Sequence, residues 1–218
     1  MYDESTLKDA LNTLYGDYLK QMPRWYRKGT KAEEIDNAWK VYSNASSTQT
    51  RSLILGDISI RSNEDLLQNF GTTANYPMRA QNTLAASNQK GSVLNEKYWW
   101  PMINDAWVLG GANTKTPFYM SYATRPPDDD LWDSSAGRPR VLGRELWGLF
   151  NFGYRRIRHD HEATLGLVFA PVDEAKAKNA RFVDYLNALN GASLDKIKDI
   201  FKLTAYINWA DYTLPSAG

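Results

Sequence analysis

The chain has no cysteine among its 218 residues and only two histidines. The absence of cysteine excludes a disulfide framework, thiol catalysis and thiolate metal sites, although it points to no particular compartment. No apolar run approaches the roughly 18–20 residues that a membrane helix needs. The N-terminal stretch MYDESTLKDALNTLYG is acidic and amphipathic, unlike a signal peptide. We therefore expect a soluble protein with no signal peptide or transmembrane segment. Its location stays open, including secretion as part of a larger protein.

The chain also lacks an excess of charge of either sign. Lysine and arginine total 26 against 25 acidic residues, which gives a net charge of +1. This balance excludes a strong global field for nucleic acid and gives no reason to expect a membrane partner, so electrostatic recognition must use local patches. The P-loop, G-x-G-x-x-G, G-x-S-x-G and H-E-x-x-H motifs are absent. The apolar fraction of 43% is ample for a folded core.

Helical spacing dominates the two ends of the sequence. Leucines recur at helical spacing within the first 18 residues, and Thr30 with Glu33 has the pattern of a capping box. Towards the other end, VDEAKAKNARFVDYLNALNG (172–191) predicts one helix, with acids in its first turn and a glycine at its end. Ser193 is placed to begin a further helix.

The middle of the chain is richer in strand signals. Aliphatic and aromatic runs predict three strands, with the last of them paired in a hairpin with 154–160; the strands are 51–60, 116–123 and 163–170. Helices first, then strands, then helices is the order of an α+β fold rather than of a doubly wound sheet. The sequence thus predicts helical N- and C-terminal segments around a small, mostly antiparallel central sheet.

We expect one domain spanning 1–218, in which 1–50 is either a helical annex or part of the mixed α+β core formed by 51–218. A helix is predicted from residue 98 to about Trp107, followed by a tight turn at the paired glycines of VLGG. The stretch 124–140 is rich in Pro, Asp, Ser and Gly, which predicts a long irregular surface loop.

Both histidines of the chain stand in the segment GYRRIRHDHE, at His159 and His161. In a strand this spacing puts the two imidazoles on one face, where they could act as acid and base on either side of a substrate. Glu162 is a third candidate catalytic residue. Two alternatives remain: a metal pair completed by Asp160, Glu162 or an aspartate of 128–130, and two exposed histidines with no function.

Arginine is concentrated just before the histidines. Between residues 138 and 158 there are six arginines and one acid, Glu145. Arginine forks suit phosphate and carboxylate oxygens, so these side chains predict an anion clamp. The candidate substrate-binding residues are Arg138, Arg140, Arg155, Arg156, Arg158 and, in the polar loop, Trp132. The alternative is that the aspartates of 128–133 neutralise the arginines internally.

A second chemistry is suggested by residue order. Arg51, then Ser121 on a predicted strand, then Glu162 near the last strand is similar in outline to ADP-ribosyltransferases, although the paired hydroxyls of that family are absent. The resemblance implies ADP-ribosyl transfer as an alternative to phosphodiester cleavage. It does not extend beyond these three positions.

These observations favour an enzymatic domain, a hydrolase or transferase, that acts on a phosphorylated or nucleotide-like small molecule. It would use histidine acid–base catalysis and an arginine clamp, with no cofactor and no metal. Its compact, cysteine-free form suits a bacterial toxin or secreted effector module, for which a protein inhibitor would be a partner. The alternative is a non-enzymatic binding module that uses the aromatic, charged loop as its surface.

Overall fold

The computed structural model describes residues 1–21, 30–46, 53–55, 100–120, 122, 124–158 and 167–205. Within these ranges it confirms the α+β class. The helices are α1 (Glu4–Leu14), α2 (Gly16–Gln21), α3 (Lys31–Ala45), α4 (Trp100–Asn113), α5 (Asp128–Leu131), α6 (Val141–Asn151), α7 (Glu174–Lys178), α8 (Phe182–Leu189) and α9 (Leu194–Ile200). The strands are β1 (Leu53–Leu55), β2 (Phe118–Met120), β3 (Trp132–Asp133), β4 (Arg138–Pro139), β5 (Tyr154–Ile157), β6 (Val168–Pro171) and β7 (Thr204–Ala205).

The five-stranded sheet has the order β1-β2-β6-β5-β7. Its three central strands are antiparallel, and β5 pairs with β6 as the predicted hairpin. The two edge strands run parallel to their neighbours, β1 beside β2 and β7 beside β5. A parallel pair needs a long connection rather than a hairpin turn, so each edge strand comes from a distant part of the chain.

The capping box predicted at Thr30 and Glu33 is confirmed. Thr30 and Glu33 form the full capping box of α3, each side chain bonding the backbone N–H of the other residue. The first helix is capped by Asp3, whose carboxylate accepts from the N–H of Thr6 at 2.9 Å. Aspartate is among the strongest N-caps because it accepts an otherwise unpaired donor at the positive end of the helix dipole.

The central helix α4 is longer than predicted. The expected turn at Gly110 and Gly111 is wrong, because α4 continues through both glycines to Asn113. A β-carbon at Gly110 would stand 2.6 Å from the carbonyl oxygen of Tyr42 on α3. The glycine therefore serves close helix–helix packing rather than chain reversal. The residues of α4 from 101 to 113 are all buried, so this helix lies at the centre of the core.

The stretch 124–140 is also more regular than predicted. Its aspartates begin α5, and β3 and β4 then form a small hairpin. The carboxylate of Asp133 accepts from the N–H groups of Ser135 and Ala136, both at 3.1 Å, and Gly137 takes a φ of 63° in the turn. Asp and Gly are residues of hairpin turns as well as of irregular loops, so composition alone did not distinguish the two.

The single helix predicted over 172–191 is divided into α7 and α8. The amide of Asn113, at the end of α4, donates to the carbonyl oxygens of Ala177, Lys178 and Ala180 at 3.2, 3.1 and 3.1 Å. These carbonyls are thus satisfied by a side chain from a distant helix, and the chain changes direction there. Ser193 caps α9 as predicted, accepting from the N–H of Lys196. None of the helices in the described ranges is long and apolar enough to cross a membrane.

Gly143 in the first turn of α6 gives a test of this packing. A β-carbon there would fall inside van der Waals contact of the Leu131 carbonyl oxygen, a backbone atom that cannot rotate away. We expect Gly143→Ala to lower the free energy of unfolding by about 1–3 kcal/mol, in spite of the better helix propensity of alanine. Chemical denaturation measures this change.

Gly16→Ala is the matched control, since a β-carbon at that helical position would meet only the terminal amine of Lys31 at 3.8 Å. It should leave the stability unchanged or slightly increased. Equal stability of the two variants would contradict the packing described for Gly143.

Candidate functional site

The predicted catalytic residues fall in a part of the chain that the structure does not describe. His159, His161 and Glu162 lie outside the described residues, as do Asp160, Arg51 and Ser121. The aspartates of 128–130 are described: Asp128 pairs with Arg125 and Lys198, and Asp130 accepts from the Tyr122 hydroxyl. In the part of the chain that the structure describes, no group of three or more His, Cys, Asp or Glu side chains could hold a metal ion.

The predicted arginine clamp is divided among several environments. Arg155 stacks its guanidinium 4.0 Å from the centre of the Phe150 ring and donates to the carbonyl oxygens of Phe150 and Tyr154 at 2.9 and 2.6 Å. Burial of this guanidinium lowers the pKa of Arg155. Arg156, the next residue on β5, donates to the Phe201 carbonyl at 3.3 Å. Arg158 is exposed where the strand ends, and its backbone N–H donates to the Ala205 carbonyl oxygen.

Arg138 and Arg140 lie on a different element. Arg138 is in β4 opposite Asp133, and Arg140 is the N-cap residue of α6. Trp132 lies in β3 opposite Pro139 and is half-buried. These three side chains therefore belong to the hairpin and its junction with α6, whereas the other predicted arginines belong to β5.

Of the neighbouring aspartates, Asp128 pairs outside the predicted clamp, and Asp133 is influenced by the charge of Arg140. Asp128 pairs with Arg125 at 2.5 Å and with Lys198 at 3.1 Å, neither of which belongs to the predicted clamp. The pKa of Asp133 is lowered, first by the Ser135 hydroxyl and the Ala136 N–H and only then by the charge of Arg140. Turn geometry accounts for Asp133 better than ion pairing does.

Arg144 instead belongs to a buried network that the sequence did not reveal. Asp105 on α4 has no exposed surface, and it accepts from Arg144 Nε at 2.7 Å and Nη2 at 2.5 Å. The hydroxyl of Tyr15, just past α1, donates to the same carboxylate. From α8, the hydroxyl of Tyr185 donates to the Arg144 carbonyl oxygen at 2.9 Å. We call these four residues the Asp105 network.

Arg144, Tyr15 and Tyr185 of the Asp105 network each keep one protonation state over the ordinary pH range. Burial alone would lower the pKa of Arg144, but the adjacent Asp105 carboxylate raises it above its usual value. The pKa values of Tyr15 and Tyr185 are raised well above normal, first by burial and then by the charge of Asp105. The network is thus one ion pair with two neutral phenols, and it does not suit proton transfer near neutral pH.

Glu145, beside this network on α6, is different. It is 5% exposed, and burial raises its pKa to about 8. The Asn104 amide offsets part of this rise, whereas the charge of Asp105 adds to it. Asn104 lies close enough to have this effect, but within the described residues neither its amide atoms nor Glu145 Oε2 makes a hydrogen bond of good geometry. Glu145 is therefore a neutral carboxylic acid at pH 7, with a pKa suited to exchanging a proton near neutrality.

Sequence reasoning counted Glu145 as the lone acid in a basic segment and gave no role to Asn104 or Asp105. A signal was present, because INDAW places two polar residues inside an otherwise apolar stretch. A charged residue in a fully buried helix requires a partner, although the sequence does not identify which one.

Comparison of the chain with known protein families, curated proteins and solved structures gave no significant match.

The Asp105–Arg144 pair gives a second test. Asp105→Asn leaves the buried guanidinium without its counter-charge and should lower the free energy of unfolding by about 3–5 kcal/mol. The double variant Asp105→Leu with Arg144→Met removes both charges and should be less destabilised than Asp105→Asn, because no charge is then left buried alone. Asp128→Asn, at an exposed ion pair, is the control and should barely change the melting temperature. A double variant less stable than Asp105→Asn would contradict this account.

Proposed function

We propose that this protein is an enzymatic domain that acts on a phosphorylated or nucleotide-like substrate, with His159 and His161 as acid and base. The observation that carries the proposal is the setting of β5. This strand is paired on both sides, by β6 and β7, and it ends one residue before Arg158, which is exposed and directly precedes His159. A strand held on both sides is a rigid support for the residues that leave its end, as functional side chains require.

The chemistry would divide between the histidines and an arginine. One imidazole removes the proton from the attacking hydroxyl or water, and the other protonates the leaving oxygen. An arginine beside them stabilises the negative charge that builds up on the phosphoryl oxygens. Glu162 would orient one imidazole or, in the ADP-ribosyl transfer alternative, act on the ribose.

The contacts of the arginines favour one of them as the ligand of the phosphoryl oxygens. Arg144 is committed to Asp105, and Arg155 is stacked on Phe150 and bonded to two carbonyls. Both would have to give up internal contacts in order to bind a substrate. Arg158 is exposed and adjacent to the histidines in sequence, so we assign it the main role, with Arg138 and Arg140 as candidates from the hairpin side.

The alternative of a binding module is favoured by a separate observation. Residues 134–137 are all exposed at the tip of the ordered β3–β4 hairpin, with Trp132 half-buried at its base. An ordered hairpin of this kind is suited to protein recognition. In a toxin or secreted effector it would be the surface that an inhibitor contacts.

Replacement of the histidines tests the enzymatic proposal. We expect His159→Ala and His161→Ala each to reduce turnover of phosphodiester and nucleotide substrates by about 10²–10⁴-fold, at an unchanged melting temperature. Arg158→Ala should reduce it by about 10²-fold or more. Arg181→Ala, at an exposed ion pair with Asp184, is the matched control and should retain full activity.

Full activity in the double histidine variant would overturn the proposal and leave the binding module. Activity should survive EDTA. Its loss on chelation, restored by zinc or manganese, would replace this mechanism by a metal site at the same residues.

The pH profile of turnover gives an independent measurement. Acid and base histidines predict a bell-shaped profile, whose limbs report two imidazole pKa values below the unperturbed value of about 6.5 because nearby arginines disfavour the imidazolium. Arg158→Ala should move both limbs to higher pH. A profile that is flat between pH 5 and 8 would contradict histidine acid–base catalysis.

A further inference from the structure

We propose that the contact between α4 and α6 is a proton-operated switch, closed while Glu145 is protonated and loosened when Glu145 ionises. The inference concerns neither the histidines nor the substrate, so it stands independently of the proposed function. It rests on the arrangement of two carboxyl groups around one guanidinium.

The geometry provides one positive charge for two acids. Asp105 occupies both Nε and Nη2 of Arg144. Glu145 is the next residue on α6, and within the described residues its Oε2 has no partner. If Glu145 ionised in place, a second negative charge would stand beside Asp105 at a site where both are buried. A buried charge without a partner is costly, and the least costly response is movement that lets water reach it.

Among the described residues, no cation is placed to neutralise this charge. From α4 it faces Asp105 and the uncharged Asn104, and from α8 the phenol of Tyr185, whose pKa is raised well above its ordinary value. On α5, Asp128 pairs with Arg125 and Lys198, and Asp130 accepts from Tyr122. On α9, Lys196 donates to the Gly191 carbonyl, and on β5, Arg155 lies over Phe150 and Arg156 donates to Phe201. The remaining charged residues of α5, α8 and α9 are aspartates, whose charge has the same sign as that of Glu145. On β4, Arg138 stands opposite Asp133.

The sign of the pH effect follows from the raised pKa. Glu145 has a pKa of about 8 in the closed state, and an accessible glutamate has one near 4.3. Between these values, opening releases one proton, so the opening equilibrium constant should rise about tenfold for each pH unit. Below the lower value the closed state has its full stability. Above the higher value Glu145 is ionised in both states, and the opening equilibrium constant no longer depends on pH.

The switch would act on both ends of α6. This helix begins directly after Arg140, and the chain passes from it through Gly153 into β5. A loosened α6 would therefore change the position of the hairpin and the support of β5 together. Loosening at alkaline pH thus gives the fold a means of control separate from the titration of the histidines.

Amide hydrogen exchange between pH 5.5 and 8.5, corrected for the intrinsic pH dependence of exchange, tests the inference. In the wild-type protein the protection factors of α4 and α6 should fall about tenfold per pH unit up to pH 8. In Glu145→Gln, which keeps the shape and hydrogen-bonding capacity without the titration, they should be independent of pH. Glu174→Gln, at an exposed ion pair with Lys115, is the control and should behave as wild type.

The same slope in wild type and Glu145→Gln, or no slope in the wild type, would overturn the inference. If Glu145→Gln does not fold, the carboxyl carbon of Glu145 in the wild-type protein can be titrated by NMR. A midpoint near 8 supports the switch, and a midpoint near that of an ordinary glutamate overturns it.

Discussion

The buried ion pair between Asp105 and Arg144 is the interaction on which the helical part of the molecule depends. A carboxylate with no exposed surface is tolerated only because a guanidinium fork and a phenol satisfy it. Those partners come from α6 and from the end of α1, and Tyr185 adds α8 through the Arg144 carbonyl. One charge thereby specifies how four segments, far apart in the sequence, must pack together.

The six arginines of the basic segment do not form one basic surface. An α-helix turns neighbouring residues by about 100°, and a strand sends them to opposite faces, so six arginines in 21 residues are distributed in several directions. Arg144 faces the core, Arg155 covers an aromatic ring, and Arg158 reaches solvent. The high density of arginine along the chain predicted an anion-binding site. In the structure, however, some of these arginines support the fold and others remain accessible.

The sequence predicted correctly those features that are formed by residues close to one another along the chain. The capping box at Thr30, the cap at Ser193 and the hairpin of β5 with β6 each involve residues close in sequence, and each was predicted. The predictions that were wrong concern elements whose structure depends on contacts with residues far away in the sequence. The break in the helix predicted over 172–191 is stabilised by Asn113, and Gly110 of α4 packs closely against α3. The Asp105 network was missed for the same reason, because Asp105 and Arg144 are separated by 39 positions and neither has a motif of its own.

The position of β7 has a consequence for how the protein is made. This strand is among the last described residues of the chain, and it is the second neighbour of β5, which leads into the histidine segment. Near the other end, the hydroxyl of Tyr2 accepts from the N–H of Phe182, a contact across 180 positions. Pairings of such long range form late, since the intervening chain must be ordered first. A nascent chain from which β7 has not yet left the ribosome would therefore lack the second neighbour of β5. If β5 supports a reactive site, that site would be completed only once residues 204–205 had been synthesised and had left the ribosome.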